Sequence, residues 1–266
     1  MSGFVDPGSA PGQNAAVRIR SLLAAGLALL AAAPAARAGE VHVAVATNFA
    51  ATCEAIASDF TADSGHRVVI SSGSSGKLTA QIEAGAPFEV FLSADADRPK
   101  RLEASGLAVA GSRFPYALGR LVLWSARADL VDAEGAVLAG GGFRHLAIAS
   151  PELAPYGAAA RVVLERLGHW ERLAPRLVRG EDIGQTFQFV ATGNAELGFV
   201  ALAQLVGRDD GSRWPVPAEL HAPIGQHAAL LAAGAGNAAA RAFVAFLRGG
   251  AARARIERSG YGLPPA

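Results

Sequence analysis

Cysteine is nearly missing from these 266 residues: Cys53 stands alone, so no intramolecular disulfide forms and no cysteine-based zinc site can be assembled. Net charge is nearly missing too. Lys and Arg total 24 against 23 Asp plus Glu, a formal charge of +1, which offers no general attraction to nucleic acid or an anionic membrane. Methionine occurs once, as the first residue, and carries no functional weight. Several enzyme signatures are absent as well. In SSGSSGK at 71–77, Gly73 lies too near Gly76 and Leu78 follows Lys77, so the phosphate-loop pattern fails and nucleotide hydrolysis is disfavoured. There is no G-x-S-x-G elbow, so a serine hydrolase would need Ser74 or Ser75 paired with His66, His145, His169, His221 or His227, none in a telling context. Those histidines are also too scattered for a metal-ligand motif. Trp124, Trp170 and Trp214 show no stacking pattern and read as core or rim, and the basic run 248–258 reads as a solvated helix face. What remains is 51% apolar and 18% charged, enough for one or two proper cores and incompatible with a disordered chain.

The N-terminus reads as an address. Arg18 and Arg20 precede an apolar run at 21–33 (SLLAAGLALLAAA), followed by Pro34 and Ala36-Arg37-Ala38. Basic region, short apolar run and A-x-A site together make a secretory signal, the alternative being an uncleaved anchor. The run is shorter than the roughly 20 residues a spanning helix needs. Cleavage after Ala38 leaves Gly39 first and removes Arg18, Arg20, Arg37 and Asp6, giving 24 − 3 = 21 basic and 23 − 1 = 22 acidic residues. No cysteine near the junction favours a lipid anchor. An exported, nearly neutral protein with a lone cysteine suits a bacterial periplasm.

From residue 41 the chain alternates short β-branched runs with helical ones, which predicts βα units around mainly parallel sheets. Strands are expected at 41–46, 68–70 and 90–92, with helices ending at Gly65, Gly85 and Gly106. The stretch 111–119 reads as a connection. A second series follows, with strands at 121–124, 145–149, 177–178 and 197–200 and helices at 157–167 and 183–191. After a polar, Pro-rich stretch at 207–223, a strand at 224–231 and helices at 239–247 and 253–259 close the chain. Two α/β lobes joined by crossing segments is the simplest reading, with 39–119 and 218–266 in one lobe and 120–217 in the other; a single continuous α/β domain is the alternative.

In open α/β sheets the ligand lies at the carboxyl ends of the strands, where helices begin. Thr47-Asn48 and the loop 71–76 (SSGSSG) stand at two such points, 150–157 (SPELAPYG) and 181–185 (EDIGQ) at two more. Small polar residues there serve as helix caps, and the same N–H groups and partial positive charge also form a nest for an anion. Four helix starts from two lobes would surround one compact oxyanion with neutral donors, none of them Lys or Arg.

The stretches ATNF at 46–49, SSGSSG at 71–76, QIEAGAPFEVFLSAD at 81–95, APYG at 154–157, EDIGQ at 181–185 and LGFVALAQ at 197–204 resemble the periplasmic molybdate-binding proteins that feed ABC importers. The resemblance spans essentially the whole mature chain. It implies the type II periplasmic binding-protein fold: two α/β lobes, a hinge, and a cleft that closes on its ligand. It further implies that Thr47, Asn48, Ser75, Tyr156 and the backbone N–H of Ile183 hold molybdate or tungstate. Expected partners are the permease subunits of an ABC transporter, with the receptor itself a monomer, no cofactor, no cation ligands and no catalysis. Other members carry a Tyr where LGFVA has Ala201. Either the Tyr156 hydroxyl replaces that donor or the shell has one hydrogen bond fewer. The competing readings are a same-fold receptor for another oxyanion and an exported phosphate or sulfate ester hydrolase.

Overall fold

The computed structural model describes residues 1–4, 8 and 38–265. The apolar run at 21–33 and most of the processing motif lie outside the described residues. Residues Ala38–Ala266 form one compact unit.

Ten strands build two sheets in it. They are β1 (Glu40–Ala46), β2 (Arg67–Gly73), β3 (Val90–Ser93), β4 (Phe114–Gly119), β5 (Leu121–Ser125), β6 (Leu146–Ala149), β7 (Leu177–Gly180), β8 (Leu197–Ala201), β9 (Ser212–Pro215) and β10 (Ile224–Leu230). The longer helices are α1 (Ala50–Ser64), α2 (Ser75–Glu83), α3 (Asp97–Ala104), α4 (Pro155–Arg166), α5 (Ile183–Ala191), α6 (Ala238–Arg248) and α7 (Gly250–Arg258). The first sheet runs β2-β1-β3-β10-β4 and the second β7-β6-β8-β5-β9. Residues 40–119 and 224–230 therefore supply the first sheet, and 121–215 the second.

In each sheet four strands point the same way and one, β10 in the first and β5 in the second, runs antiparallel between the third parallel strand and the outer strand. The mainly parallel sheets expected from the alternating pattern are thus mixed. Two strands escaped the pattern for one reason. β4 lies inside 111–119 and β9 inside 207–223, and both are outer strands, where Pro115 and Pro215 leave no ladder position unsatisfied. Central strands behave as buried ones should: β3, β6 and β8 are buried along their whole length, and all their residues but Ser93 at the end of β3 are apolar or glycine. Gly65 caps α1 in the left-handed region at φ 72°, its N–H bonding to Thr61 O.

The first half packs Val41, Val43, Phe49, Cys53 and Phe60 against Phe243, Leu247 and Ile256 of the two terminal helices. The second packs Leu123, Leu146, Ile148, Tyr156, Val163 and Phe199 together. Ala46 and Ala94, at the ends of β1 and β3, join this second cluster, so the carboxyl ends of the first sheet press on the other half. Arg120 and the segment 216–223 are the two places where the chain crosses between the sheets.

Candidate oxyanion site

The four helix starts singled out in the sequence meet. Thr47 and Asn48 after β1, Ser74 and Ser75 after β2, Pro155 and Tyr156 at the head of α4, and Asp182 and Ile183 at the head of α5 line one small pocket of about 10 Å³. No Lys or Arg is among its lining residues. A larger hollow beside it, lined by Asp95, Arg98, Pro151 and His221, collects no comparable set of donors.

Each start leaves backbone hydrogens free, because the first N–H groups of a helix have no partner within it. Thr47–Phe49 forms a single tight turn with no side-chain cap, and the Thr47 hydroxyl is buried with no hydrogen-bond partner among the described residues. Ser74 caps α2 by accepting from Lys77 N–H at 3.3 Å, and Gly76 N–H bonds across the halves to Leu153 O at 2.9 Å. That leaves the N–H of Ser75. Its side chain is 1% exposed and its Oγ accepts from Ala94 N–H at 3.0 Å, so the hydroxyl hydrogen remains available as a donor.

The second half supplies main chain. α4 has no side-chain cap at Ala154 and begins with Pro155, which has no N–H, so the first free donors are those of Tyr156 and Gly157. Gly157 is required by packing, since a Cβ there would collide with Ala149 O. At α5, Asp182 Oδ1 accepts from Gln185 N–H at 2.9 Å, which satisfies the third residue and leaves Ile183 N–H open. Gln204 bonds Ala201 N–H through its oxygen at 2.9 Å and Ile183 O through its amide at 3.0 Å, fixing the end of β8 to the head of α5. Gly184 faces Thr47 so closely that a Cβ would overlap the Thr47 methyl.

Two of the expected donors are oriented differently from the simplest reading. Both amide hydrogens of Asn48 are taken, by Gln226 Oε1 at 2.9 Å and Tyr261 Oη at 3.2 Å, so only its backbone N–H is free for a ligand. The Tyr156 hydroxyl lies against Gly119 rather than among the residues that line the pocket. Burial pushes it well above the ordinary phenol range, the neighbouring Tyr261 adding to this and the Gln226 amide offsetting part of it, so it stays protonated. Gln226, Tyr261, Gln204 and Gly119 were missed in the sequence. The available signal was Gln226 itself, a polar residue at a buried position between Ile224 and Ala228 of an alternating strand.

Cationic side chains are confined to the rim. Lys77 Nζ meets Glu181 Oε2 at 2.6 Å across the two halves, and the Arg98 guanidinium pairs with Asp95 while donating to Glu152 O at 3.0 Å. Among the described residues no cluster of His, Cys, Asp and Glu is arranged to hold a metal ion.

Residues 41–262 match the family model of the bacterial extracellular solute-binding proteins. The molybdate-binding protein ModA of Azotobacter vinelandii is 53% identical over 248 residues, covering 92% of this chain and 97% of that protein. ModA of Rhodobacter capsulatus is 51% identical over 239 residues, covering 90% and 92%. The solved structure of a periplasmic molybdate-binding protein from Azotobacter vinelandii superposes with a TM-score of 0.83 at 47% identity, over 85% of this chain and 100% of that one. The chain belongs to the bacterial extracellular solute-binding proteins and, within them, to the molybdate-binding proteins.

Proposed function

We propose that the protein is a periplasmic receptor that captures molybdate between its two halves and delivers it to an ABC importer. The observation that carries this reading is the pocket itself: four helix starts, two from each half, around a space without a cationic side chain. A tetrahedral dianion suits such a site. Each N–H or O–H bond to it is charge-assisted and contributes about 1.5–3 kcal/mol, and the donors are directional, so they select for size and protonation state.

Thr47, Asn48 and Ser75 hold the anion from the lobe formed by 39–119 and 218–266, and Tyr156 and Ile183 hold it from the lobe 120–217. Asn48, Tyr156 and Ile183 act through backbone N–H groups, Thr47 and Ser75 through hydroxyls as well. With Ala201 in place of a tyrosine and the Tyr156 hydroxyl turned to Gly119, the second lobe contributes no side-chain donor. Both lobes' donors reach the anion only when closed, so ligand shifts the population toward that form. No bond is made or broken: the carboxylate that lines the pocket, Asp182, is engaged as the cap of α5 rather than paired with Ser75. Tungstate, close to molybdate in size and charge, binds as well, and sulfate, being smaller, binds poorly. The receptor works as a monomer, without a cofactor, after removal of residues 1–38.

Titration calorimetry of the purified protein with molybdate, tungstate and sulfate tests this. The two metal oxyanions should bind tightly, and ligand at 100-fold over Kd should add roughly 2.7 kcal/mol of stability. Equal affinity for sulfate would replace the molybdate reading with a receptor for another oxyanion. Intact-mass measurement of the exported form should give Gly39 as the first residue.

A further inference from the structure

Gln226 has no exposed surface and bonds to neither solvent nor β-ladder with its side chain. Its position is built. Where β10 pairs with β4, the register shifts: Gln226 stands opposite Ala117 and His227 opposite Pro115, leaving Tyr116 as the extra residue of a bulge. Bulges re-aim side chains. Here the Tyr116 hydroxyl donates to Gln226 Oε1 at 3.0 Å, and Asn48 Nδ2 donates to the same oxygen at 2.9 Å. Asn48 is held a second time by Tyr261, whose hydroxyl donates to Asn48 O at 2.5 Å. The carbonyl of Gln226 thus has both lone pairs occupied, one of them by the turn that offers Thr47 and Asn48 to the pocket.

The other end of the amide faces the second half. Gln226 Nε2 and Tyr156 Oη are both buried without a partner, and both converge on Gly119. A Cβ on Gly119 would lie 3.2 Å from Gln226 Nε2 and would collide with the Tyr156 hydroxyl, so only glycine leaves room for the two groups. Gly119 ends β4 just before the first crossing, and Gln226 lies just after the second. The Tyr156 ring, whose own N–H opens onto the pocket, therefore reaches the strip of chain between the crossings.

We propose that Gln226 is a positioning and specificity-determining residue of the oxyanion site: its oxygen fixes the Asn48 turn of one lobe, its amide faces the Tyr156 hydroxyl of the other beside Gly119, and together these set the gap between the two groups of donors. This rests on the reading of the cleft as a molybdate site. A gap held by one rigid side chain distinguishes anions by size, because donors on opposite walls reach a larger oxyanion and fall short of a smaller one.

Molybdate and sulfate titrations of the unmodified protein, Tyr156→Phe, Gln226→Met and the double variant test it. If the hydroxyl and the amide bond to each other once the lobes close on the anion, losing that one neutral hydrogen bond should weaken molybdate binding roughly 2- to 12-fold in Tyr156→Phe and narrow the molybdate-to-sulfate ratio, with the ligand-free melting temperature unchanged because the ligand-free protein makes no such bond. The double variant should bind no worse than the weaker single one, since both remove the same link. A merely structural role would lower the melting temperature and leave the ratio alone. Should Gln226→Met fail to fold, Tyr156→Phe carries the test, because it leaves the Asn48 and Tyr116 bonds of Gln226 intact. Unmodified protein that binds neither molybdate nor tungstate overturns the reading of the cleft and this assignment with it. Molybdate binding with an unmoved ratio in Tyr156→Phe overturns the assignment to Gln226 alone.

Discussion

The two halves of the molecule share one plan and fill it differently. Each has three parallel strands in the order second-first-third, then one antiparallel strand and an outer strand that again runs with the first three, with helix starts gathered at the carboxyl ends. The first half presents hydroxyls, those of Thr47 and Ser75, beside its N–H groups; the second presents main chain only, at Tyr156 and Ile183. The difference is one of evolvability and precision. A hydroxyl is lost or gained with one substitution, whereas a backbone donor is fixed by the fold and survives almost any side-chain change except proline.

Blocking the meeting of the halves should have the largest effect. A side chain at Gly184 would overlap the Thr47 methyl, so Gly184→Leu keeps both lobes from closing while leaving each to fold. We expect affinity to fall by more than about 1000-fold, equivalent to about 4 kcal/mol. Scattering in solution should show no compaction on adding molybdate. Thr47→Ser removes the methyl and keeps the hydroxyl, so it should restore part of the binding lost in Gly184→Ala. Tight binding by Gly184→Leu would show that closure is not required.

The contrast between side-chain and main-chain donors is tested by a matched pair. Ser75→Ala removes the hydroxyl donor and strands Ala94 N–H, and should lower affinity about 10- to 150-fold. In the second half only proline removes the donor. Ile183 is the first residue of α5, a position that tolerates proline, and Asp182 before it is already extended at φ −146° and ψ 177°. Ile183→Pro should therefore match the loss seen in Ser75→Ala, while Ile183→Ala, which sacrifices the same packing but keeps the N–H, should bind within a few-fold of the parent. If calorimetry finds Ile183→Ala as weak as Ile183→Pro, the second half holds its ligand by something other than main chain.

The four helix starts were legible because small polar and glycine residues at strand ends have few other uses, and α5 was read at its true bounds, 183–191. The outer strands β4 and β9 were not, because Pro115 and Pro215 contradict the strand pattern unless the strand is known to lie at an edge. The polar cluster behind the pocket was invisible for a different reason. Asn48 and Gln226 are 178 residues apart, and nothing local to either announces the pairing. The direction of the Tyr156 ring depends on Gly119 in the same way: the motif APYG identifies the turn, and the packing of the two crossings decides where its hydroxyl goes.

The halves should also part at high pH. Burial pushes the Cys53 thiol up to about 12, with Glu54 adding to the effect, and burial pushes the Tyr116 and Tyr261 hydroxyls well up too. All three belong to the first half, against one such group, the Tyr156 hydroxyl, in the second. The folded chain holds these protons more tightly than the unfolded one, so stability is unaffected well below pH 9, where an unfolded thiol is half ionised, and falls as pH climbs toward 12. Each fully titrating group contributes a slope of about 1.4 kcal/mol per pH unit. Urea midpoints should be flat from pH 7 to 8.5 and fall above it, with amide exchange rising in the first sheet before the second. Cys53→Ala should make the fall shallower; an identical fall would remove the thiol from the account.

The smallest effect should come from the ion pair that joins the halves among the described residues. Lys77 and Glu181 meet at 2.6 Å but are 53% and 63% exposed, and the hydrogen bond and charge of Glu181 hold the Lys77 ammonium above its usual range. Exposed pairs are weakened by solvent and by the entropy of two long side chains, so Lys77→Ala should change molybdate release by less than about fivefold, and not at all near 1 M salt. The ranking matters more than the value. A receptor that closes on neutral donors must lose far more from Ser75→Ala than from Lys77→Ala. Were stopped-flow release to show the reverse, the cationic rim rather than the uncharged pocket would be what recognises the anion.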